Sequence, residues 1–528
     1  MLEGQKLFHL PWFLPLVLSL ITGLFLIQKI NLPAADIGRH LVNGQLIWQT
    51  GLNSPVLYQN FYSYTQPEFS YPNHHWLYGV IIWPIKELFG AAGLILLNAG
   101  LIASSVWLIF RQQMRKEKSA LLVAWLIALP LVAWRTEVRP ESFSLLFLAL
   151  ITVLLNQFAQ QKIKPIWLIL ILVTIMIFWV NTHLFFPLGI GLVGFELIKN
   201  LIVKNKQITN RKTQIQVLSL ALLTMIGATL VNPNTWRGAL VPFTIFQHYP
   251  YPVAENQTTL FFFQYYPNQT IYWYFLVWSV INLIILIGNW PKRHLATIMI
   301  ESFWTIGLIT AGLIIVRVYP VVALLSLPSM IHNLDRLINR HRTKLRHLFN
   351  EQRNWLFLSP TIVLILLAAS ATRHWLPNLA NFGLDFQPGS LQARQFLQQL
   401  PAGAKIFNNY DVGGYLIYQQ LPQQVFVDNR PESYSPDFMK DWYIKPQQND
   451  QAWNELVDRY QLNIIFFYRH DATDWAQPFL IKRLSDPEWV PVYVDAYFLA
   501  FAKKSPENSA LIEQLQIPQD YFQVSQEN

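Results

Sequence analysis

Long apolar runs recur through this sequence and leave few folds open to it. They lie at roughly 12–30, 91–110, 119–134, 142–160, 166–182, 183–198, 215–231, 271–289, 295–315, 318–332 and 355–372. About 20 apolar residues carry a helix across the hydrocarbon of a bilayer. Lipid offers no partner to an open backbone, so chains with many such runs fold as helical bundles. The composition agrees: 13% of the 528 residues are charged, against about 25% in soluble domains. Mean hydropathy is +0.26. The expected fold is a polytopic α-helical membrane protein with about 11 transmembrane helices.

The connections between runs alternate in character. "RQQMRKEK" (111–118), "QKIK" (161–164), "KNLIVKNKQITNRK" (199–212), "PKRH" (291–294) and "DRLINRHRTKLRHLFNEQR" (335–353) are basic. The alternate connections, 31–90, 134–141, 232–270 and everything after Arg373, are poorer in lysine and rich in aromatic residues. Basic loops stay in the cytoplasm. That places the N-terminus inside and, with an odd number of spans, the C-terminus outside. The net charge of +9 is then a topology signal and not a face for nucleic acid. The first run follows a single lysine, Lys6, and exceeds the about 7–15 residues of a signal h-region. Despite the cleavage-like "LPAAD" it reads as an uncleaved first helix. "HHWLYGVIIWPIKELFG" (74–90) is apolar yet carries Pro84, Lys86 and Glu87, and is expected to lie along the outer surface.

From about Leu384 the composition becomes that of a soluble domain. Short strands are predicted at 404–408, 424–428, 463–468, 491–495 and 497–503, with helices at 391–401, after "DVGG" and at 449–461. Strand–helix alternation indicates a small α/β extracytoplasmic domain over 384–528, after a transmembrane domain over 1–383 whose outer loops are 31–90, 134–141 and 232–270. No P-loop occurs, and Gly413-Gly414 reads as a structural turn before a phosphate cradle. The absence of cysteine excludes disulfides, thiolate metal sites and cysteine nucleophiles.

Polar residues gather on the predicted outer side. Asp36 and His40, four apart, share a helical face, with Arg39 beside them. Asp36 equally fits a helix N-cap. His74, His75 and Trp76 end the same loop, where histidines either bind metal or phosphate or simply sit at the interface. "WRTEVRPES" packs Arg135, Glu137, Arg139 and Glu141 into one short loop. Arginines there fit an anion site or an Arg–Glu structural pair. Asn181 and His183, Asn232 and Arg237, and Arg317 bring further polar groups to span ends. Together these point to one polar cavity open to the outside. In the outer domain Asp411, Asp428, Asn429 and Arg430 stand at predicted strand ends, as ligand-binding or as turn residues.

"DIGRHLVNGQLIWQTGLNSPVLYQNFYSYT" followed by "HHWLYGVIIW" resembles the first outer loop of bacterial multi-pass GT-C-type glycosyltransferases. That group is similar to lipid A aminoarabinose transferases, protein O-mannosyltransferases and oligosaccharyltransferases. The shared pattern is Asp36, His40, Gly44, "YSYT" (62–65) and His74-His75-Trp76-Leu77. "NTHLFF", "NPNTWRGALVPF" and "KIFNNYDVGGYLIYQQLPQQVFVDNRPESY" (405–434) also look like the group, so the resemblance covers nearly the whole chain. Gly38-Arg39 stands where relatives often have a tryptophan before the histidine, and His75 where they often have glutamate.

The resemblance implies an enzyme of the cell (plasma or inner) membrane. It would move a sugar from a polyprenyl-phosphate-linked donor to a glycan, lipid or protein acceptor at the outer face, inverting the anomeric centre. Asp36 is then the base on the acceptor hydroxyl, with His40 beside it. Arg139 and Arg317, backed by Arg39 and Arg135, face the departing phosphate. His74, His75, Trp76, Asn181, His183 and Arg237 become substrate-binding candidates, and Asp428 and Arg430 candidates for the acceptor. Some relatives use a divalent metal. This chain lacks a D-x-D and a carboxylate pair in the first loop, so no cofactor is assigned and a metal stays open. The expected partners are membrane lipid, donor and acceptor, with no nucleic acid.

Two other functions compete. A transporter or flippase of lipid-linked saccharides would place charges at the bilayer midplane among paired half-helices, whereas here they gather at one face. A non-enzymatic membrane scaffold with a partner-binding outer domain leaves the polar loops without a purpose.

Overall fold

The apolar runs fold as helices. The computed structural model describes residues 11–203, 211–245, 251, 253–290, 295–340, 379–420 and 424–522. Every predicted run other than 355–372, which lies outside the described residues, is helical over most of its length. Among the described residues six stretches are long and apolar enough to cross a membrane: Trp76–Gln112, Glu141–Ala159, Pro165–Thr182, Thr270–Gly288, Leu295–Ile314 and Val316–Arg340. Phe13–Phe25 and Lys118–Val132 are apolar but shorter. The segment expected to lie along the surface, 74–90, is joined to the next run in the helix Trp76–Gln112, interrupted at Gly90. Gly90 has φ 61°, a left-handed conformation that a residue without Cβ adopts at no steric cost.

By packing, the chain divides into two compact units. The first comprises Met1–Lys29, Ala92–Asn232 and Pro252–Leu384; the second comprises Ile30–Ala91, Pro233–Tyr251 and Asp385–Asn528. The loop 31–90, placed by sequence in the domain 1–383, thus packs with the outer-domain residues.

In the first unit the core is formed by Leu148, Leu172, Met176, Trp179, Phe275 and Tyr319, all fully buried. The outside is apolar as well: Phe178, Leu223, Trp273, Ile284 and Phe303 are exposed. Apolar residues on both the inside and the outside are what a bundle solvated by lipid requires. Several buried polar groups are paired with one another. Trp179 Nε1 donates to Ser144 Oγ at 2.7 Å, and Ser144 Oγ lies 2.7 Å from His183 Nδ1. Lys116 meets Asp335 at 3.0 Å, joining the basic connection 111–118 to the start of 335–353. At the other ends of the helices Lys118–Val132 and Tyr319–Arg340, Arg135 and Arg317 share Glu141 and Glu255. Connections expected on one side of the membrane therefore meet each other, and so do those expected on the other.

The second unit is built on a four-stranded sheet, β1 (Ile406–Asn408), β2 (Ile464–Tyr468), β3 (Trp489–Val494) and β4 (Phe498–Lys503), in the order β1-β2-β4-β3. β1 and β2 are parallel; the other pairs are antiparallel. Four predicted strands are present. The fifth, 424–428, is not a strand of this sheet, because its backbone is taken by the tyrosine-rich loop. Val425 N–H donates to the Tyr62 carbonyl at 2.8 Å and Tyr64 N–H to the Val425 carbonyl at 3.1 Å. The helix Ile37–Thr50 is held on two sides by glycines. A methyl group on Gly44 would collide with the Gly79 carbonyl, and one on Gly38 would come within 2.9 Å of the Gly414 carbonyl and of Tyr418 Cβ. Gly413 packs as closely on Val427 and Asp428. The glycine pair at 413–414 thus serves close packing, which extra Cβ atoms would prevent.

Candidate functional site

In the second unit, these glycine contacts fix the start of the helix Ile37–Thr50, where the first-loop residues stand. Asp36 occupies the N-cap position, yet its carboxylate makes no capping hydrogen bond. It is 24% exposed and lies 3.7 Å from Arg39 Nη2. Arg39 is buried, and its Nε donates to Asn429 Oδ1 at 3.1 Å. One turn on, His40 is buried edge-on to His75 and Tyr78, with ring centroids at 5.5 Å and 5.2 Å. His75 packs against His74 at 4.1 Å, and its N–H donates to Asn73 Oδ1 at 3.2 Å. Trp76 opens the next helix. Arg237 is exposed beside the Trp236 ring.

A second carboxylate belongs to this neighbourhood. Asp411 lies in the turn Tyr410–Val412 after β1. Burial pushes its carboxyl up to about 7, with Asp471 and Asp36 adding to the shift. Asp471 itself accepts from Asn409 Nδ2 at 2.8 Å and from the Thr473 N–H at 2.9 Å. Tyr251 stacks on Tyr410 at 4.2 Å.

Asp428 and Arg430 are sealed. Arg430 donates to both Asp428 oxygens, at 2.7 Å and 2.6 Å, and to Asn60 Oδ1 at 2.8 Å. The Tyr62 and Tyr71 rings cover its guanidinium at 5.5 Å and 4.7 Å.

In the first unit, the arginines expected at the phosphate come together. Arg135 and Arg139 each donate to Glu255 Oε2 at 2.7 Å. Arg317 pairs with Glu141 and, at 3.0 Å, with Glu255. Burial works to raise the Glu255 carboxyl, but Arg135, Arg139 and Arg317 outweigh it and hold it well below the usual range. The cluster borders a cavity lined also by Asn98, Glu137 and Ser142. Asn181 is turned to structural work, donating to the Ile177 and Val231 carbonyls at 2.7 Å and 2.8 Å. His183 is fully buried against Ser144. The expected site residues thus fall into two groups, one in each unit.

Glu255, Asp471 and Asn98 did not stand out in the sequence. Asn98 sits inside an apolar run, and Glu255 gains meaning only through Arg135, Arg139 and Arg317, which are distant from it in the sequence. Among the described residues no group of three or more His, Asp or Glu side chains is gathered as a metal ion would need.

A scan against protein-family models finds none that matches, and a search of curated proteins finds no similar sequence. The fold is nevertheless similar to solved structures of archaeal oligosaccharyltransferase AglB from Archaeoglobus fulgidus. The structure of AglB with an inhibitory peptide and a dolichol-phosphate aligns over 96% of this chain and 76% of AglB, at 12% identity and a TM-score of 0.52. An acceptor-peptide-tethered form of the A. fulgidus enzyme covers 93% and 74% at 11% identity, with a TM-score of 0.52. Its apo form covers 94% and 75% at 10% identity, with a TM-score of 0.54. The likeness is one of fold: the chain shares the fold of these oligosaccharyltransferase structures.

Proposed function

We propose that this protein is an integral-membrane glycosyltransferase that moves a sugar from a polyprenyl-phosphate-linked donor to an extracytoplasmic acceptor, inverting the anomeric carbon. The observation that carries the reading is the Asp36 carboxylate: partly exposed, not spent on capping its helix, and paired with a buried arginine. Asp36 takes the proton of the acceptor hydroxyl as that oxygen attacks the anomeric carbon. The bond from that carbon to the phosphate oxygen breaks, and its electron pair leaves with the lipid phosphate. Arg139 and Arg317 are the candidates for binding the lipid phosphate. Removing one such donor typically costs about 2.7–4 kcal/mol of barrier.

The other residues take supporting roles. Arg39, held by Asn429, orients Asp36 in preference to binding phosphate. His40, His74, His75 and Trp76 line the acceptor or sugar side, and Asp428 and Arg430 secure the loop 59–71. The enzyme lies in the cell membrane with its N-terminus cytoplasmic and its C-terminal domain outside, as the basic loops direct. The direct test is Asp36→Asn, which keeps shape and removes the basic oxygen. Transfer is expected to fall by roughly 10²–10⁴-fold with folding unchanged. Near-normal transfer would leave the reading without its base.

A further inference from the structure

The helix Trp76–Gln112 carries one polar side chain that its apolar sequence does not explain. Asn98 is 3% exposed, and its amide Nδ2 has no hydrogen-bond partner. An unpaired amide donor inside an apolar bundle is costly, since neither lipid nor side chains nearby replace its water. Asn98 lines the same cavity as Arg135, Arg139 and Arg317. Two features of that cavity say what would satisfy the amide. The arginine forks beside it match the oxygens of a phosphate and are weakly hydrated enough to be used in a dry site. The cavity is lined too by Glu137 and Glu141 and by the apolar side chains of Val132, Leu145 and Phe185, so an anion on an aliphatic chain would compete with carboxylates for the arginines beside an apolar wall.

We infer that Asn98 is a phosphate-binding residue of the donor site, its Nδ2 donating to a non-bridging oxygen of the lipid-linked phosphate. The inference rests on the glycosyltransferase reading for the identity of that lipid, and it names a ligand group which that reading does not contain. The shared chemistry is a phosphate ester on an aliphatic chain. Its source is either the polyprenyl carrier or the headgroup of a bulk phospholipid.

The test uses the full chain in neutral detergent and three probes: citronellyl phosphate, citronellol and dihexanoyl phosphatidylglycerol. A hydrogen bond to a charged group is worth about tenfold or more in affinity. Asn98→Leu, close in shape but without a donor, should weaken citronellyl phosphate by about tenfold and leave citronellol unchanged. Asn98→Asp, which repels the phosphate, should weaken it further. Wild-type protein should prefer citronellyl phosphate to the phosphatidylglycerol probe; equal binding would make this a headgroup site and overturn the assignment. Should neither variant fold, a wild-type co-structure with citronellyl phosphate decides. A phosphate oxygen within hydrogen-bond distance of Asn98 Nδ2 supports the assignment, and a phosphate bound elsewhere ends it. Phosphate-selective loss in Asn98→Leu without sugar transfer by the wild type would sink the enzyme reading and leave the binding site standing. Transfer with unchanged binding in Asn98→Leu would do the reverse.

Discussion

Two groups of buried ions invite comparison, one in each unit of the molecule. Asp428 and Arg430 are 0% and 2% exposed, and the guanidinium donates through Nε and Nη2 to Asp428 and Asn60 beneath the Tyr62 and Tyr71 rings. Arg135, Arg139, Arg317, Glu141 and Glu255 use the same chemistry but keep 10–22% of each side chain exposed, beside a cavity that also holds Asn98. The sealed pair has no surface left for a ligand, and it fastens the tyrosine-rich loop to residues 424–434. The open cluster keeps its arginines aligned while leaving a face where an anion can approach. Buried arginine is therefore no sign of a site by itself; what separates the two groups is access.

That distinction is sharpest in stability. Arg430→Ala leaves Asp428 charged and unpaired in the interior, and breaking a buried pair in this way costs roughly 3–5 kcal/mol. Denaturation of the purified protein should show a loss of that size. Replacing both residues by leucine should cost much less. A mild effect of Arg430→Ala would mean that the pair is reachable by water after all.

The open cluster should respond in function first. Arg317→Ala and Arg139→Ala are expected to lower lipid-phosphate binding or turnover by about 10²–10³-fold, with a smaller loss of stability than Arg430→Ala. Unfolding comparable to Arg430→Ala, without a specific effect on binding, would make the two clusters equivalent and erase the comparison.

A pH-dependent effect concerns the carboxylates near Asp36. Burial, with Asp471 and Asp36, holds the Asp411 carboxyl near 7, above its ordinary value. Between those two values the unfolded chain releases this proton before the folded one does. Stability is therefore lost as pH rises toward 7. Asp411→Asn removes that dependence. The variant should match the wild type at about pH 4 and melt higher at pH 8, by roughly 2–4 °C for each kcal/mol relieved. Equal melting at both pH values would mean that Asp411 is better solvated than its surroundings indicate.

The sequence made the helices legible because apolar length is a local property, and the runs coincide with helices such as Pro165–Thr182 and Thr270–Gly288. It also made β1, β2, β3 and β4 legible, through β-branched and aromatic residues between turn signals. The segment 424–428 has the same signal, but its backbone partner is the loop 62–64, some 360 residues earlier. Candidate arginines could be picked out because charge at span ends is costly and therefore conspicuous. Their carboxylate Glu255 could not, since an acid in a polar loop is unremarkable until the fold brings it to Arg135. Asp428 and Arg430 looked alike to Arg139 and Arg317 in sequence, because burial is set by Asn60, Tyr62 and Tyr71 from a distant part of the chain.

In the proposed reaction Asp36 is the base in the transfer of a lipid-linked sugar. Mass spectrometry of the host's envelope glycans, compared with and without the gene product, tests it most directly. Loss of the protein should remove one sugar from an extracytoplasmic glycan, glycolipid or glycoprotein and leave its polyprenyl-phosphate donor to accumulate. Wild-type protein should restore the sugar, and Asp36→Asn, present in the membrane at normal levels, should not. Unchanged glycans, or full restoration by Asp36→Asn, would contradict the account.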